Sequence, residues 1–197
     1  MGANKMAYVL AAGGLAILLY LGWSLTSRNA YETAAYDVIM SDGAFEVREY
    51  PDLMMATTIM KSSNGNDGSL NRLFSYISGA NENNQKVSMT TPVFMDAESE
   101  DHPGQMGFVV PASVVADGAP MPSDVNVELR SREAGRFAVI RFSGRLDVST
   151  RRYAEQRLKQ WMSEHEFTSS GEAESAGYDP PWTPGPFRRN EVLVRLQ

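Results

Sequence analysis

The sequence contains no cysteine and only two histidines among its 197 residues. Without cysteine, the chain cannot form a disulfide bond, bind a metal or haem iron through a thiolate, or use a cysteine nucleophile. The two histidines, His102 and His165, are too few for a histidine-rich metal site. A phosphate-binding loop, a dinucleotide fingerprint and a nucleophile elbow are missing too. We therefore predict a protein that is not an enzyme, and any metal ligand stays unknown.

Basic residues are scarce relative to acidic ones. The chain has 18 lysines and arginines against 24 aspartates and glutamates, which gives a formal net charge of −6. It has no basic block that could contact a row of phosphates, as nucleic-acid binding requires. We therefore expect no nucleic-acid partner. The apolar fraction of 43% and the charged fraction of 21% are typical of a folded globular protein.

One long stretch without charge lies near the N-terminus. Residues 8–25 carry no charged side chain, and the stretch approaches the ~20 residues that a membrane-spanning helix needs. Tyr8 and Trp23 lie near its ends, where aromatic side chains favour the membrane interface. We predict that residues 1–35 form a single-pass transmembrane helix with its linker, and that residues 36–197 form the folded domain.

The charges beside this stretch predict its orientation. Lys5 precedes the stretch and Arg28 follows it. The amino terminus adds a second positive charge on the same side as Lys5, so the positive-inside rule favours a cytoplasmic N-terminus. The domain is then expected to be periplasmic or extracytoplasmic. A cleaved signal peptide is the alternative, with residues 33–35 as the best cleavage site.

The hydrophobic pattern of the body indicates the same order of elements in both halves. Alternating apolar residues predict strands, and apolar residues at i, i+3, i+4 and i+7 predict helices. In the first half, the predicted elements are strands at 44–50, 53–60, 87–95 and 106–110 and a helix at 69–78. In the second half, they are strands at 125–130, 137–142 and 191–196, a helix from 149 to about 165, and a polar loop at 169–174. Two such halves can place their strands in one curved sheet or open barrel, with a ligand crevice where the halves meet.

Three segments resemble, in order and spacing, those of the SOUL haem-binding protein family. Residues 86–93, KVSMTTPV, resemble the family's M-T-x-P-V segment. Residues 178–182, YDPPW, followed by residues 187–192, FRRNEV, resemble its C-terminal signature. Residues 71–81, NRLFSYISGAN, are similar to its first helix and the exit from that helix. The resemblance covers about residues 36–197.

This resemblance implies an α+β fold: a distorted antiparallel β-barrel with two helices, built as a pseudo-twofold repeat of βαββ-like halves. The fold is similar to that of gyrase-inhibitor-like domains. The resemblance also implies that haem or another tetrapyrrole binds in a hydrophobic cleft beside the first helix, for carriage or buffering. We do not expect haem to be essential for the fold. With its N-terminal stretch, the chain resembles a membrane-anchored member of the family, and its short architecture favours a bacterial source.

The resemblance predicts five residues that contact the tetrapyrrole. Leu70 and Phe74 match helix positions that line the family's cleft. Arg72 is the cation on this helix and is predicted to contact the propionates. Met89 and Trp182, which lie in or beside the matched segments, are further predicted contacts.

Axial ligation of the iron is expected to be weak or absent. His102 lies in an acidic loop and His165 ends the second helix, and neither matches the expected position of an axial ligand. The remaining candidate ligands are Met89, Met95, Tyr76 and Tyr178.

Two other functions stay open. A gyrase-inhibitor-like domain could bind or hydrolyse small apolar or cationic molecules through a pocket carboxylate, for which Glu191 is the candidate. The alternative role of Glu191 is that of an arginine partner. A membrane-associated protein-interaction domain could instead use the acidic loop at 96–101 to bind a basic partner.

Overall fold

The protein is described here by a computed structural model. The chain divides into two compact units, residues 1–30 and residues 31–197. The residues that the structure describes are 13–14, 31–61, 67–96 and 104–197. Apart from Gly13 and Gly14, the predicted membrane segment at 8–25 lies outside them. Within the described residues, no helix combines the length and the apolar character that crossing a membrane requires.

Strands dominate the described part of the body. The strands are β1 (Glu32–Thr33), β2 (Asp37–Asp42), β3 (Phe45–Tyr50), β4 (Leu53–Ile59), β5 (Thr90–Thr91), β6 (Val93–Asp96), β7 (Gln105–Val109), β8 (Val127–Arg132), β9 (Gly135–Phe142), β10 (Ser169–Gly177) and β11 (Asn190–Leu196). The helices are α1 (Ser69–Ile77), α2 (Ala112–Ala116) and α3 (Val148–Glu164). A 3₁₀ turn spans Gly185–Phe187. Two helices were expected from the sequence, and the short helix α2 is an addition.

Nine strands form one sheet in the order β2-β3-β9-β11-β10-β6-β7-β4-β8. All neighbouring strands in it are antiparallel. The predicted α+β class is therefore confirmed, but the predicted barrel is wrong because the sheet does not close. The reason is that β2 occupies the outer edge of β3, which leaves β8 paired only with β4 among the described strands. The remaining strands, β1 and β5, form a separate parallel pair.

The strand order is symmetric about the centre of the sheet. In the second half, β8, β9, β10 and β11 correspond to β3, β4, β6 and β7 of the first half, in that order. If each strand is exchanged with its counterpart, the order of these eight strands is simply reversed. The first strand of each half pairs with a strand of the other half: β3 pairs with β9, and β8 pairs with β4. The two halves also meet at the centre, where β6 pairs with β10. This topology agrees with the repeat predicted from the sequence.

Both longer helices cover the same face of the sheet. Along β9, Ala138 and Ile140 pack in the cluster under α3, whereas Phe137 and Val139 belong to a cluster on the opposite face. This alternation follows from the two-residue period of a strand. A third cluster lies under α1 and contains Phe108 of β7. Because α1 packs on β4, β7 and β8, and α3 packs on β9 and β11, the central strands β6 and β10 lie between the two helices.

Asp147 caps the start of α3. Its side chain accepts hydrogen bonds from the backbone N–H groups of Ser149 and Thr150. The Thr150 hydroxyl in turn accepts from the Asp147 N–H at 3.1 Å, which completes a capping box. The buried face of the helix consists of Ala154, Leu158, Trp161 and Met162.

The polar loop predicted at 169–174 is wrong, because these residues form most of β10. This strand pairs with β11 on one side and with β6 on the other. Residues 174–177 pair on both sides, whereas Ser169 and Ala173 pair with β11 alone and the register shifts between them. This pairing satisfies backbone N–H and C=O groups and outweighs the polar composition of the segment. Small residues such as Ala173 and Ala176 are the buried side chains of this strand.

Candidate ligand-binding site

A cavity of about 350 Å³ lies over the central strands, between α1 and the loop of residues 178–189 that joins β10 to β11. We call it the seam cavity, because both halves of the chain line it where they meet. Its apolar lining includes Leu70 and Phe74 from α1, Val93 and Met95 from β6, and Trp182 from the 178–189 loop. The other described lining residues are Tyr31, Met89, Thr91, Met106, Leu146, Gly177, Tyr178, Asp179, Pro180, Pro181, Arg188 and Asn190.

The spacing of apolar residues along α1 supplies one wall of the seam cavity. Leu73 and Ile77 are buried and pack in the cluster under the helix. Leu70 and Phe74 each lie three positions before a member of that pair, so they present a neighbouring face of the helix to the cavity. The Phe74 ring packs edge-on against Phe108, with 5.9 Å between ring centroids, yet it remains 41% exposed. Phe74 therefore lies at the open rim of the cavity.

Four of the five predicted contact residues lie together in this lining: Leu70, Phe74, Met89 and Trp182. Arg72 does not lie among them. Its Nε donates to the Thr58 hydroxyl at 2.9 Å and its Nη2 donates to the Ile59 carbonyl at 2.7 Å. Two positions along a helix correspond to a rotation of about 200°, which turns Arg72 away from the face that carries Leu70. Arg72 thus ties α1 to the end of β4 and lies outside the described lining of the seam cavity, where a contact with the propionates had been predicted for it.

The basic side chain among the described lining residues is Arg188, which was not among the contacts predicted from the sequence. Its Nε donates to the Thr183 carbonyl at 2.7 Å, and its Nη2 donates to the Pro181 carbonyl. These two bonds fix the turn. The sequence places Arg188 in the same C-terminal signature as Trp182, and this shared membership could have indicated its position in the cavity.

A buried network of charges adjoins the seam cavity and is centred on Glu191, which is fully buried. Arg48 donates to both carboxylate oxygens of Glu191, at 2.8 and 2.9 Å, and Arg189 donates to Oε1 at 2.6 Å. The Tyr178 hydroxyl donates to Oε2 at 2.9 Å. On its other side, Arg48 pairs with Glu46 at 2.6 Å. Because three donors surround it and it does not line the cavity, Glu191 is an arginine partner, and its prediction as the pocket carboxylate is corrected.

The titration of these groups reflects their burial and their partners. Burial by itself raises the pKa of the Glu191 carboxyl, but the hydrogen bonds and charges of Arg48 and Arg189 outweigh burial and hold this pKa below its ordinary value. Burial, reinforced by the negative charge of Glu191, raises the pKa of the Tyr178 phenol. At neutral pH the network therefore contains ionised Glu191 and a protonated Tyr178 hydroxyl.

Two of the four candidate iron ligands have hydroxyl groups that already donate elsewhere. Tyr178 donates to Glu191, and the buried Tyr76 donates to the Pro120 carbonyl at 3.1 Å. Tyr76 is also absent from the described lining of the seam cavity. The thioethers of Met89 and Met95 are therefore the candidate ligands that face the cavity with free sulfur lone pairs.

His165 is not among the described lining residues of the seam cavity. His165 caps the C-terminus of α3, where its Nδ1 lies 2.9 Å from the Trp161 carbonyl oxygen. His102 lies outside the described residues, together with most of the acidic loop. Within the part of the chain that the structure describes, no cluster of three or more histidine, aspartate or glutamate side chains could hold a metal ion.

Comparison with known sequences gives a consistent set of similarities. The sequence model described as "SOUL heme-binding protein" matches residues 31–195. Heme-binding protein 1 of Xenopus tropicalis is 27% identical over 157 residues, which cover 76% of this chain and 82% of that protein. Heme-binding protein 1 of Xenopus laevis is 26% identical over the same shares of both chains.

Solved structures of lower identity are similar in fold. The EcmrR C-terminal domain has a TM-score of 0.52 and 14% identity, and the match covers 82% of this chain and 98% of that one. A hydrolase from Listeria innocua has a TM-score of 0.56 and 9% identity, with 81% and 94% covered. At such identities, these similarities bear on the arrangement of strands and helices alone.

Proposed function

Because the chain belongs to the SOUL heme-binding protein family, we propose that it binds haem or another tetrapyrrole in the seam cavity, as a carrier or buffer. It is a binding protein and not an enzyme. The observation that carries this proposal is the convergence of Leu70, Phe74, Met89 and Trp182 on one apolar cavity beside α1. Two of these four side chains are aromatic, and flat aromatic faces suit a flat apolar ring.

The dimensions of the cavity support this ligand class. Its volume of about 350 Å³ falls within the ~300–1,000 Å³ of typical small-molecule sites. Trp182 is 71% exposed and Phe74 is 41% exposed, so the rim is open on the side where they lie. A tetrapyrrole can therefore insert part of its ring between α1 and the 178–189 loop while one edge stays outside.

The polar groups at the cavity supply orientation. We assign the carboxylates of the ligand to Arg188, because its Nη1 does not donate to the two carbonyls that hold its Nε and Nη2. For a haem iron, the thioethers of Met89 and Met95 are within the lining. A thioether is a weak ligand, and much of the wall is apolar, which suits reversible binding.

A cationic ligand has less support. Such a ligand needs a free carboxylate in the cavity, and Glu191 is held by Arg48 and Arg189 outside it. Asp179 lines the cavity, but its Oδ2 accepts the backbone N–H of Arg189. We therefore retain the tetrapyrrole as the proposed ligand.

We also propose that residues 8–25 tether the domain to a membrane, with the domain on the periplasmic or extracytoplasmic side. The support is the uncharged stretch itself and the basic residues Lys5 and Arg28 on either side of it.

A haemin titration of the full chain in detergent tests the proposed function. We expect a saturable one-to-one Soret shift that is lost in Phe74→Asp, because a carboxylate at the rim would have to be desolvated beside the ring. Tyr153→Asp is the matched control, since Tyr153 is an aromatic residue on α3 that is 64% exposed and outside the cavity lining. Non-saturable absorbance changes that are equal in all three proteins would rule out the seam cavity as the binding site.

A further inference from the structure

The 178–189 loop presents apolar side chains to the solvent. Trp182 and Phe187 are each 71% exposed, and Pro181, Pro184 and Pro186 are exposed as well. Single exposed apolar residues are common on protein surfaces, but a contiguous group of this kind usually marks an interaction site.

The backbone of this loop fixes the outward direction of the two aromatic residues. Arg188 donates from inside the loop to the carbonyls of Pro181 and Thr183. The N–H of Phe187 donates to the Pro184 carbonyl at 3.0 Å, which closes the 3₁₀ turn. Because these bonds restrain the loop, it cannot easily collapse to bury Trp182, and the exposed apolar surface persists.

The same surface continues around the mouth of the seam cavity. Trp182 belongs both to the loop and to the cavity lining, and the partly exposed Phe74 faces the cavity from α1. The N–H of Gly144 donates to the Gly185 carbonyl at 2.9 Å. This bond joins the loop to the connection between β9 and α3, from which Leu146 also lines the cavity. The mouth is therefore bordered by apolar groups from three parts of the chain.

The polypeptide reaches this cavity shortly after its uncharged stretch. Tyr31 lines the seam cavity, and only residues 26–30 separate it from the end of the stretch at Leu25. An extended residue spans at most ~3.6 Å, so these residues can bridge no more than roughly 20 Å. The stretch of chain between the uncharged segment and the lining of the cavity is therefore short.

We propose that the mouth of the seam cavity docks on the surface of a lipid bilayer through Trp182, Phe187 and Phe74, so that an apolar ligand exchanges between the cavity and the lipid phase. Tryptophan is favoured at the membrane interface, because its ring is apolar and its N–H can remain hydrated. The exposed phenylalanines enter the acyl-chain boundary beside it. The exchange of ligand rests on the proposed function, whereas the docking of this surface does not.

Lipid-dependent quenching tests the docking without any ligand. The full chain carrying Trp23→Phe is reconstituted into phosphatidylcholine vesicles with bromine at a shallow acyl position. Trp161 is buried at 4% exposure, so bromine should quench Trp182 and leave Trp161 unaffected. A second protein that also carries Trp182→Phe should lose this quenching.

The matched control moves the exposed tryptophan to the edge of the sheet. Ile39 lies on β2 and is 56% exposed, so Ile39→Trp is combined with Trp23→Phe and Trp182→Phe. We expect bromine to leave this tryptophan unquenched. Equal quenching at both sites, no quenching of Trp182, or failure of the chain to float with the vesicles would overturn the docking proposal.

Transfer of haemin from preloaded vesicles tests the exchange. Phe187 is outside the described cavity lining, so Phe187→Ser should leave the affinity for haemin in detergent unchanged while slowing uptake from vesicles. Unchanged uptake by this variant would overturn exchange at the docked mouth. If the chain binds no haemin in detergent although Trp182 is quenched in vesicles, the proposed function fails and the docking stands.

Discussion

The hydroxyl of Tyr178 donates a 2.9 Å hydrogen bond to Oε2 of Glu191, while the same tyrosine lines the seam cavity. One residue thus joins a ligand-sized cavity to a buried group of charges. Glu191 is in turn bound by Arg48 of β3 and Arg189 of the 178–189 loop. Hydrogen bonds that exist before a ligand enters therefore hold this wall of the cavity in place. This preorganisation lowers the conformational entropy that is lost when a ligand binds.

Filling the cavity from its floor should abolish ligand binding without unfolding the protein. Gly177 lines the cavity, and a Cβ built there would lie 3.8 Å from Met95 and 3.9 Å from Leu146, which are ordinary contact distances. Gly177→Val should therefore be accommodated and should remove the saturable Soret shift, with a far-ultraviolet circular dichroism spectrum like that of the wild type. The control is Ala116→Val on α2. Gly118→Val is not used, because Gly118 has a positive φ that a valine would adopt only with strain. Retention of tight haemin binding in Gly177→Val would contradict the placement of the ligand.

Arg188 should contribute to affinity only when the ligand carries carboxylates. A charge-assisted hydrogen bond contributes about 1.5–3 kcal/mol, so Arg188→Gln should weaken haemin binding by at least about tenfold. Haemin dimethyl ester lacks the charges, and it should bind to the wild type and to the variant with similar affinity. Arg72→Gln is the matched control and should leave both affinities unchanged. If Arg188→Gln weakens binding of the ester as strongly as that of haemin, the effect comes from a disturbed loop and the assigned contact is incorrect.

The iron should add little to the affinity. Of the four candidate iron ligands, Tyr178 donates its hydroxyl to Glu191 and Tyr76 lies outside the described lining, which leaves the weakly coordinating thioethers of Met89 and Met95. We expect protoporphyrin IX without iron to bind within about tenfold of haemin, that is within about 1.4 kcal/mol, as measured by quenching of tryptophan fluorescence. A much tighter complex with haemin, together with a spectral change in Met89→Leu or Met95→Leu, would instead demonstrate axial ligation.

Removal of the charge on Glu191 should destabilise the fold strongly. Glu191→Gln leaves two arginines, Arg48 and Arg189, without their shared buried anion. Breaking a buried ion pair on one side typically costs about 3–5 kcal/mol, and urea unfolding in detergent should report a loss of this size. The control is Glu155→Gln, which removes a pair with Lys159 on the surface of α3 and should cost at most about 1 kcal/mol. Equal losses in both variants would contradict the central role of Glu191.

The contribution of Glu191 should disappear in acid. Its pKa in the folded protein lies below the ordinary value of 4.5, so the folded state prefers the ionised form. The stabilisation is then fully present above pH ~4.5 and is lost as the pH falls through the folded-state pKa. The difference in unfolding free energy between the wild type and Glu191→Gln should therefore be constant above pH ~4.5 and should shrink as the pH falls below it. A difference that stays constant below this pH as well would show that Glu191 acts through shape and not through charge.

The sequence predicted those features of the site that depend on local spacing. The faces of α1 follow from helical geometry, so the spacing of the residues alone separates Leu70 and Phe74 from Leu73 and Ile77. The same geometry would have excluded Arg72, because it is two positions away from Leu70. The prediction for Arg72 rested on its positive charge and did not consider the face of the helix from which its side chain projects.

Features that depend on distant pairing could not be predicted in the same way. The hydrogen bond between Arg48 and Glu191 joins two residues that are 143 positions apart in the sequence. Nothing in the local pattern of either segment specifies it. The first part of β10 has the composition of a loop, and it forms because β11 pairs with it, while β6 adds a second partner for residues 174–177. The open edge of the sheet likewise results from the pairing of β2 with β3.

The exchange of first strands between the halves has a consequence for folding kinetics. The pairing of β3 with β9 places Phe45 opposite Ile140, and the pairing of β4 with β8 places Leu53 opposite Arg132. Such long-range pairings make loop closure slow, because the chain must lose much entropy before these contacts form. Neither half can complete its sheet alone, and each would expose the strand edge that its counterpart normally covers. A chain that emerges gradually from the ribosome therefore has an aggregation-prone first half until the second half has been synthesised.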